Sequence, residues 1–399
     1  MINHRLQKTL GAASCVLLLG VSGCSGDKVK LSAESVPVSV NDCKPVLRVF
    51  LENSGSMDGY MCEGSQLKDV IFDYVGDLNA LSSRTAYYYI NSDTIPFKGS
   101  FGSFIQTMTP ENFRKAGGNH ANSDIRKMLE QVVNCVNDST VCMFVSDCIL
   151  DLPVGDTQKF LNNCRISIKN TMSNARKRVP NLGIEVLKMS SNFTGKYFYP
   201  NGSYEELTNV ERPYYIWIMG DSRLLANYNK GVALDELKKY GFEQIVSFTP
   251  QLATAFEVTN RSTTTNVVNP ENGNYRGILR ADFRGTLQPE SEVLNPANYT
   301  FSNPAIRIEG IRPVKAANSQ YTHLVEFAVP VTANVLQCRL TFKVPAVPRW
   351  VDDSHDEAGI DIQKNMNKTS GIKHQIEGVA DAYRKEAAST EFIINLNRN

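Results

Sequence analysis

The chain has 399 residues, with 42 Lys and Arg against 41 Asp and Glu. Hydrophobic residues at 42% and charged residues at 21% exclude a disordered or collagen-like chain, and the length suits two or three domains. With the N-terminal Arg5 and Lys8 set aside, 40 cations face 41 anions, so no global field draws the chain to nucleic acid.

In chain order, Arg5 and Lys8 precede a largely apolar run over 9–21, too short to span a bilayer as a mature helix. The run ends in Val21-Ser22-Gly23-Cys24, which resembles the lipobox of bacterial lipoproteins. The resemblance implies a signal peptide over 1–23 and a lipid such as palmitate on Cys24. It also implies a lipid-anchored protein of the bacterial cell envelope, with the outer membrane favoured and the periplasmic and surface faces both open. Residues 24–44 read as a tether. No later segment reaches 18 consecutive apolar residues, so no transmembrane span is expected.

From 45 to 250, strands alternate with helices. Strands are expected at 46–51, 86–90, 141–145, 182–187, 214–219 and 244–248. Helices are expected at 67–81, 125–136, 157–178 and 234–240, the third stopped by Pro180. This rhythm predicts an α/β domain with a doubly wound, mainly parallel sheet covered on both faces. From 251 to 399, short runs at 278–283, 305–311, 323–329, 335–344 and 392–396 predict an antiparallel β-sandwich-like domain, with one helix over 372–387.

The first strand runs into Glu52-Asn53-Ser54-Gly55-Ser56-Met57. In an open α/β sheet, ligands bind beyond the carboxyl ends of the strands. Here a carboxylate and two hydroxyls leave that edge at i, i+2 and i+4, and oxygen donors suit a hard cation: Mg²⁺, or Mn²⁺ or Ca²⁺. Ser123 at the start of the 125–136 helix and Asp147 after the 141–145 strand supply two further oxygens.

This order of elements resembles the von Willebrand factor A domain and its metal-ion-dependent adhesion site, whose pattern is Asp-x-Ser-x-Ser, then Thr, then Asp. Ser54 and Ser56 match directly, Ser123 stands for the Thr, and Asp147 matches the third element. Glu52 departs from the pattern by one methylene. The resemblance implies a metal held by Glu52, Ser54, Ser56, Ser123 and Asp147, with an open position that an Asp or Glu carboxylate of a protein partner completes. It implies a membrane-anchored adhesion module and no enzyme. The alternative is a metal-free structural subunit of a cell-envelope assembly. The loops 57–66, 101–122 and 190–212 would set specificity, the last through Phe193, Tyr197, Phe198, Tyr199 and Tyr204.

Seven cysteines lie beyond Cys24, with no CxxC. Cys62 with Cys148, and Cys43 with Cys135, are candidate disulfides whose connectivity the sequence leaves open, and Cys338 reads as a buried thiol. The acidic stretch Asp352 to Asp361 lacks a calcium-loop glycine and reads as a solvated loop. Asp221 reads as a helix cap and His120 as structural. No nucleophile elbow, phosphate loop or Ser-His-Asp order stands out.

Overall fold

The structure is a computed structural model, described here over residues 28–35, 43–121, 124–232, 234–248, 253–260, 265–286, 288–316, 318–384 and 389–398. The leader with Cys24, and Ser123, lie outside the described residues.

The chain begins with β1 (Val29–Ser35), β2 (Val46–Glu52), a 3-10 turn (Met57–Met61), α1 (Gln66–Ala80), β3 (Arg84–Ile90) and β4 (Thr94–Pro96). Next come α2 (Phe101–Gln106), α3 (Pro110–Arg114), α4 (Ile125–Asn134), β5 (Thr140–Ser146) and α5 (Thr157–Arg178). They lead to β6 (Leu182–Phe198), β7 (Tyr204–Asp221), α6 (Ser222–Gly231), α7 (Leu234–Leu237) and β8 (Phe242–Ser247). The second half holds β9 (Thr254–Asn260), β10 (Val267–Val268), β11 (Asn274–Asp282), α8 (Glu290–Val293), β12 (Tyr299–Phe301), β13 (Arg307–Pro313), β14 (His323–Pro330) and β15 (Gln337–Lys343). It ends in α9 (Trp350–Asp353), β16 (His355–Asp356), β17 (Thr369–Ser370), α10 (Ile372–Ala382) and β18 (Ser389–Arg398).

The first half builds a seven-stranded sheet in the order β4-β3-β2-β5-β7-β6-β8. Side chains alternate along β2, so Leu47, Val49 and Leu51 join the core under α1 and α6, while Phe50 joins the core under α4 and α5. Every residue of β5 is buried, as its continuous apolar run predicts for a strand covered on both faces. The α4 stripe Ile125, Met128, Leu129, Val132 and Val133 is buried throughout.

The sheet is mixed, not mainly parallel. β2 runs parallel to β3 and β5, whereas β4, β7, β6 and β8 pair antiparallel to their neighbours. The cause is local. β6 and β7 follow each other through a tight turn, and strands so joined must be antiparallel. Nor is 190–212 a loop. It forms the outer ends of this hairpin, whose register runs from Leu182↔Asp221 to Phe198↔Tyr204 with a bulge between Phe193 and Gly195. Gly195 allows the overhang to lie on the 3-10 turn, since a Cβ there would sit 2.7 Å from the Gly59 Cα.

The second half forms two antiparallel sheets, ordered β10-β1-β18-β15-β12 and β13-β14-β11-β9, around a shared core that includes Leu31, Leu279, Phe327, Leu340 and Ile394. Part of the expected tether is therefore structural. Residues 29–35 pair along β18, from Val29↔Arg398 to Ser35↔Phe392, because Val29 and Leu31 alternate with polar residues and bury one face.

The C-terminal segment returns to pack against the first-half sheet. Ile372, Ile376 and Val379 of α10 enter the same core as Ile168 and Met172 of α5. Arg165 clamps the pair, donating to Glu377 at 2.6 Å and to Asp381 at 2.7 Å. Among the described residues, no helix is long and apolar enough to cross a membrane.

The α10–α5 contact depends on Gly378, where a Cβ would lie 2.7 Å from the Arg165 carbonyl oxygen and 3.0 Å from the Ile168 Cβ. Gly→Ala in a helix interior normally stabilises by about 1 kcal/mol. Here overpacking opposes it, so Gly378→Ala should destabilise by roughly 1–3 kcal/mol in urea denaturation. A more stable variant would show that the helices do not meet at this position.

Candidate functional site

The site lies at the carboxyl ends of the parallel strands β2 and β5. Glu52 closes β2 and is fully buried, and its Oε2 accepts a hydrogen bond from the Ser146 hydroxyl, the last residue of β5. The chain then turns. The Met57 amide donates to the Ser54 carbonyl at 3.1 Å, and the Ser54 and Ser56 hydroxyls meet at 3.0 Å. The Asp147 amide donates to the Met57 thioether sulfur at 3.2 Å, which ties the two strand exits together.

A third segment is clamped alongside. The Gly55 amide donates to the His120 carbonyl at 3.0 Å. The Asn91 side-chain Nδ2 donates to the Asn53 Oδ1 and the Gly117 carbonyl, each at 2.9 Å. A Cβ at Gly118 would fall 2.1 Å from Asn91 Oδ1, so the approach requires glycine.

The C-terminal segment backs the site. The Gln375 side-chain Nε2 donates to the Cys148 carbonyl at 2.7 Å, and the Leu150 backbone amide to the Ser370 carbonyl at 3.1 Å. Cys148 itself is left-handed, with φ of 56°, a conformation that costs roughly 1–2 kcal/mol for a residue with a Cβ. The surrounding bonds hold it. Its amide donates to the Ser146 hydroxyl at 2.7 Å, and its sulfur accepts from the Trp217 indole at 3.2 Å.

Two carboxyl oxygens in this cluster, Glu52 Oε1 and Asp147 Oδ2, are buried without a hydrogen-bond partner. Burial and the neighbouring Asp147 push the Glu52 carboxyl up to about 8, against the pull of the Ser146 and Ser54 hydroxyls. Burial also raises Asp147, while the Ser56 hydroxyl, the Ile149 amide and the Arg212 guanidinium favour its charged form. Asp151 is raised by burial and by Asp147 and Asp124. The site is thus rich in carboxylate and poor in compensating charge. Arg212, on β7 and 2% exposed, donates to the Met366 carbonyl at 2.8 Å and lies over the Tyr197 ring.

Of the five expected metal ligands, Glu52, Ser54, Ser56 and Asp147 converge, and Ser123 lies outside the described residues. The helix after it is capped by Asp124, whose carboxylate accepts from the Arg126 amide at 3.1 Å. Among the described residues there is no group of three or more His, Cys, Asp or Glu side chains arranged to hold a metal. The converging set contains two carboxylates, and its other members are hydroxyls. Its fit to a hard cation rests on the two orphaned oxygens.

Neither expected disulfide is formed. Cys148 packs in the core beneath α4 and α5, whereas Cys62 follows the 3-10 turn on the opposite face and donates to the Asn192 carbonyl at 3.6 Å. Cys135 donates to the Gln131 carbonyl within its own helical turn. Cys338 is a buried thiol in β15. The acidic stretch is a paired surface: Asp352 meets Lys373 at 2.6 Å, Asp361 meets Lys364 at 2.8 Å, and Asp356 caps the turn to Gly359. Asp221 caps α6.

Sequence reasoning missed Ser146, Asp151 and Arg212. Ser146 carries a visible signal, a hydroxyl at the end of an otherwise apolar run. Arg212 carries none, since its carbonyl partners lie more than 150 residues away.

Folded Glu52 holds its proton more tightly than the unfolded chain does. Its contribution to stability is complete below the ordinary glutamate range and is lost as pH rises through about 8. Glu52→Gln stays neutral. In chelator the variant should exceed the parent in stability by roughly 1–3 kcal/mol above that pH, and the gap should close toward about pH 4, read by urea denaturation. A gap that does not change with pH would contradict the burial. In comparisons with known proteins, no protein-family model and no curated sequence matches the chain.

Proposed function

We propose that the chain is a lipid-anchored binding module of the bacterial cell envelope that grips a protein partner through a divalent cation. The observation that carries this reading is the pair of orphaned, buried oxygens, Glu52 Oε1 and Asp147 Oδ2, beside the Ser54 and Ser56 hydroxyls. Two carboxylates cannot both stay charged in a dry site without a compensating cation or a shared proton.

Mg²⁺, or Mn²⁺ or Ca²⁺, would supply that charge, with Ser54, Ser56, Glu52 and Asp147 holding it and Ser123 as a further proposed ligand. Hydroxyl ligands leave such a cation electrophilic, so a partner's Asp or Glu carboxylate would complete its shell. No bond chemistry is required, and the reading includes no enzymatic activity and no nucleic-acid partner.

The proposed fold of the 45–250 region is von Willebrand factor A-like. The run β4-β3-β2-β5, with the site at the exits of its two adjacent parallel strands β2 and β5, supports that reading. The antiparallel β6–β7 hairpin and Glu52 are departures from it. The lipid anchor rests on the Val21-Ser22-Gly23-Cys24 sequence.

A cation that binds only the folded chain stabilises it by about 2.7 kcal/mol at roughly a hundredfold excess over Kd. Mg²⁺ or Mn²⁺ should therefore raise the melting temperature, EDTA should reverse the rise, and the double variant Ser54→Ala/Ser56→Ala should abolish it. Identical melting with cation and chelator would leave the metal-free envelope subunit as the better reading.

A further inference from the structure

Above the Ser54–Ser56 turn lies a cavity of about 400 Å³, a size that accepts a large side chain with its flanking backbone. Ser54 and Ser56 line it together with Leu150, Asp151, Leu152 and Phe198. The Phe198 ring covers the turn, and a Cβ added at Gly55 would touch it at 3.5 Å. Ser370 also lines the cavity; it is 3% exposed, and its hydroxyl has no hydrogen-bond partner. Gly359 is wedged there in a left-handed conformation, with room for a Cβ only 3.0 Å from that hydroxyl.

Exposed apolar side chains occur in the lining of this cavity and close to it in the chain. Phe198 is 43% exposed and stacks obliquely with Tyr204, itself 51% exposed. Val154 and Ile360, two residues beyond Leu152 and one beyond Gly359, are 80% and 72% exposed. Scattered apolar side chains on a surface need no explanation, but four that are part of a cavity wall or near neighbours of it in the chain suit a polypeptide contact. A free small molecule would not need them.

We infer that the partner presents an acidic residue followed directly by a bulky apolar or aromatic one. The acidic carboxylate meets the cation at Ser54 and Ser56, and the adjoining side chain fills the cavity between Phe198 and Leu152. The inference rests on the cation reading above and adds a second, apolar determinant to it.

The test uses the full chain and three probes: the blocked dipeptide amides N-acetyl-Asp-Phe, N-acetyl-Asp-Gly and N-acetyl-Asn-Phe. Binding is read by ligand-observed NMR in Mg²⁺, and cation binding is read separately by Mn²⁺ water-proton relaxation. N-acetyl-Asp-Phe amide should bind at least about tenfold more tightly than either of the others. Phe198→Ala, at a half-exposed position where folding is not at stake, should erase its advantage over the Gly probe. Equal binding of the Phe and Gly probes, with Mn²⁺ bound, would overturn the cavity's role and leave the cation reading intact. Absence of Mn²⁺ binding would overturn both.

Discussion

Two carboxyl groups buried at the ends of adjacent strands are the constraint around which this site is organised. Glu52 and Asp147 are 0% and 1% exposed, and each keeps one oxygen without a partner. A protein interior does not tolerate such groups without compensation. Ser146 satisfies one Glu52 oxygen, and Arg212 lends positive charge to Asp147 from β7, the strand beside β5. What remains is one unpartnered oxygen on each carboxyl, with the like charge relieved by the proton that Glu52 holds. The Met57 contact and the left-handed Cys148 hold backbone close to these two carboxyls. Conformations of that cost persist where the surrounding structure fixes them, commonly at binding sites.

The C-terminal half is part of this construction. The 365–368 carbonyls receive Arg212, Gln375 supports the Cys148 turn, and Ser370 reaches the cavity. These contacts join segments more than 150 residues apart in sequence, so the α/β sheet and the returning α10 share one site. The pairing of β1 with β18 adds a second closure. On the proposed lipid anchor, only Ser25 to Lys28 separate Cys24 from β1, so the anchored protein would stand close to its membrane.

Local pattern made much of this legible in the sequence. The apolar period of 125–136 specified α4 and its buried face, and the unbroken run 141–145 specified a strand covered on both sides. The Glu52-x-Ser54-x-Ser56 spacing and Asp147 identified the converging oxygens. Non-local features were not legible. The outer hairpin reads as a loop because Ser190, Ser191 and Asn192 follow the buried run, and only the pairing of β6 with β7 makes it strand. The mixed sense of the sheet depends on that hairpin. Val29 and Leu31 alternate as a strand should, yet their role depends on β18, more than 350 residues later. The unformed disulfides show the same limit, since spacing says nothing about which face of the sheet a thiol occupies.

The most direct test of the account is a crystal structure grown in Mn²⁺, with anomalous scattering measured at the manganese edge. A peak is expected at the exits of β2 and β5, with oxygens of Ser54 and Ser56 about 2.1 Å away and Glu52 or Asp147 reaching it directly or through water. An ordered site that shows Glu52 bonded to Ser146, and no anomalous peak at saturating Mn²⁺, would contradict it.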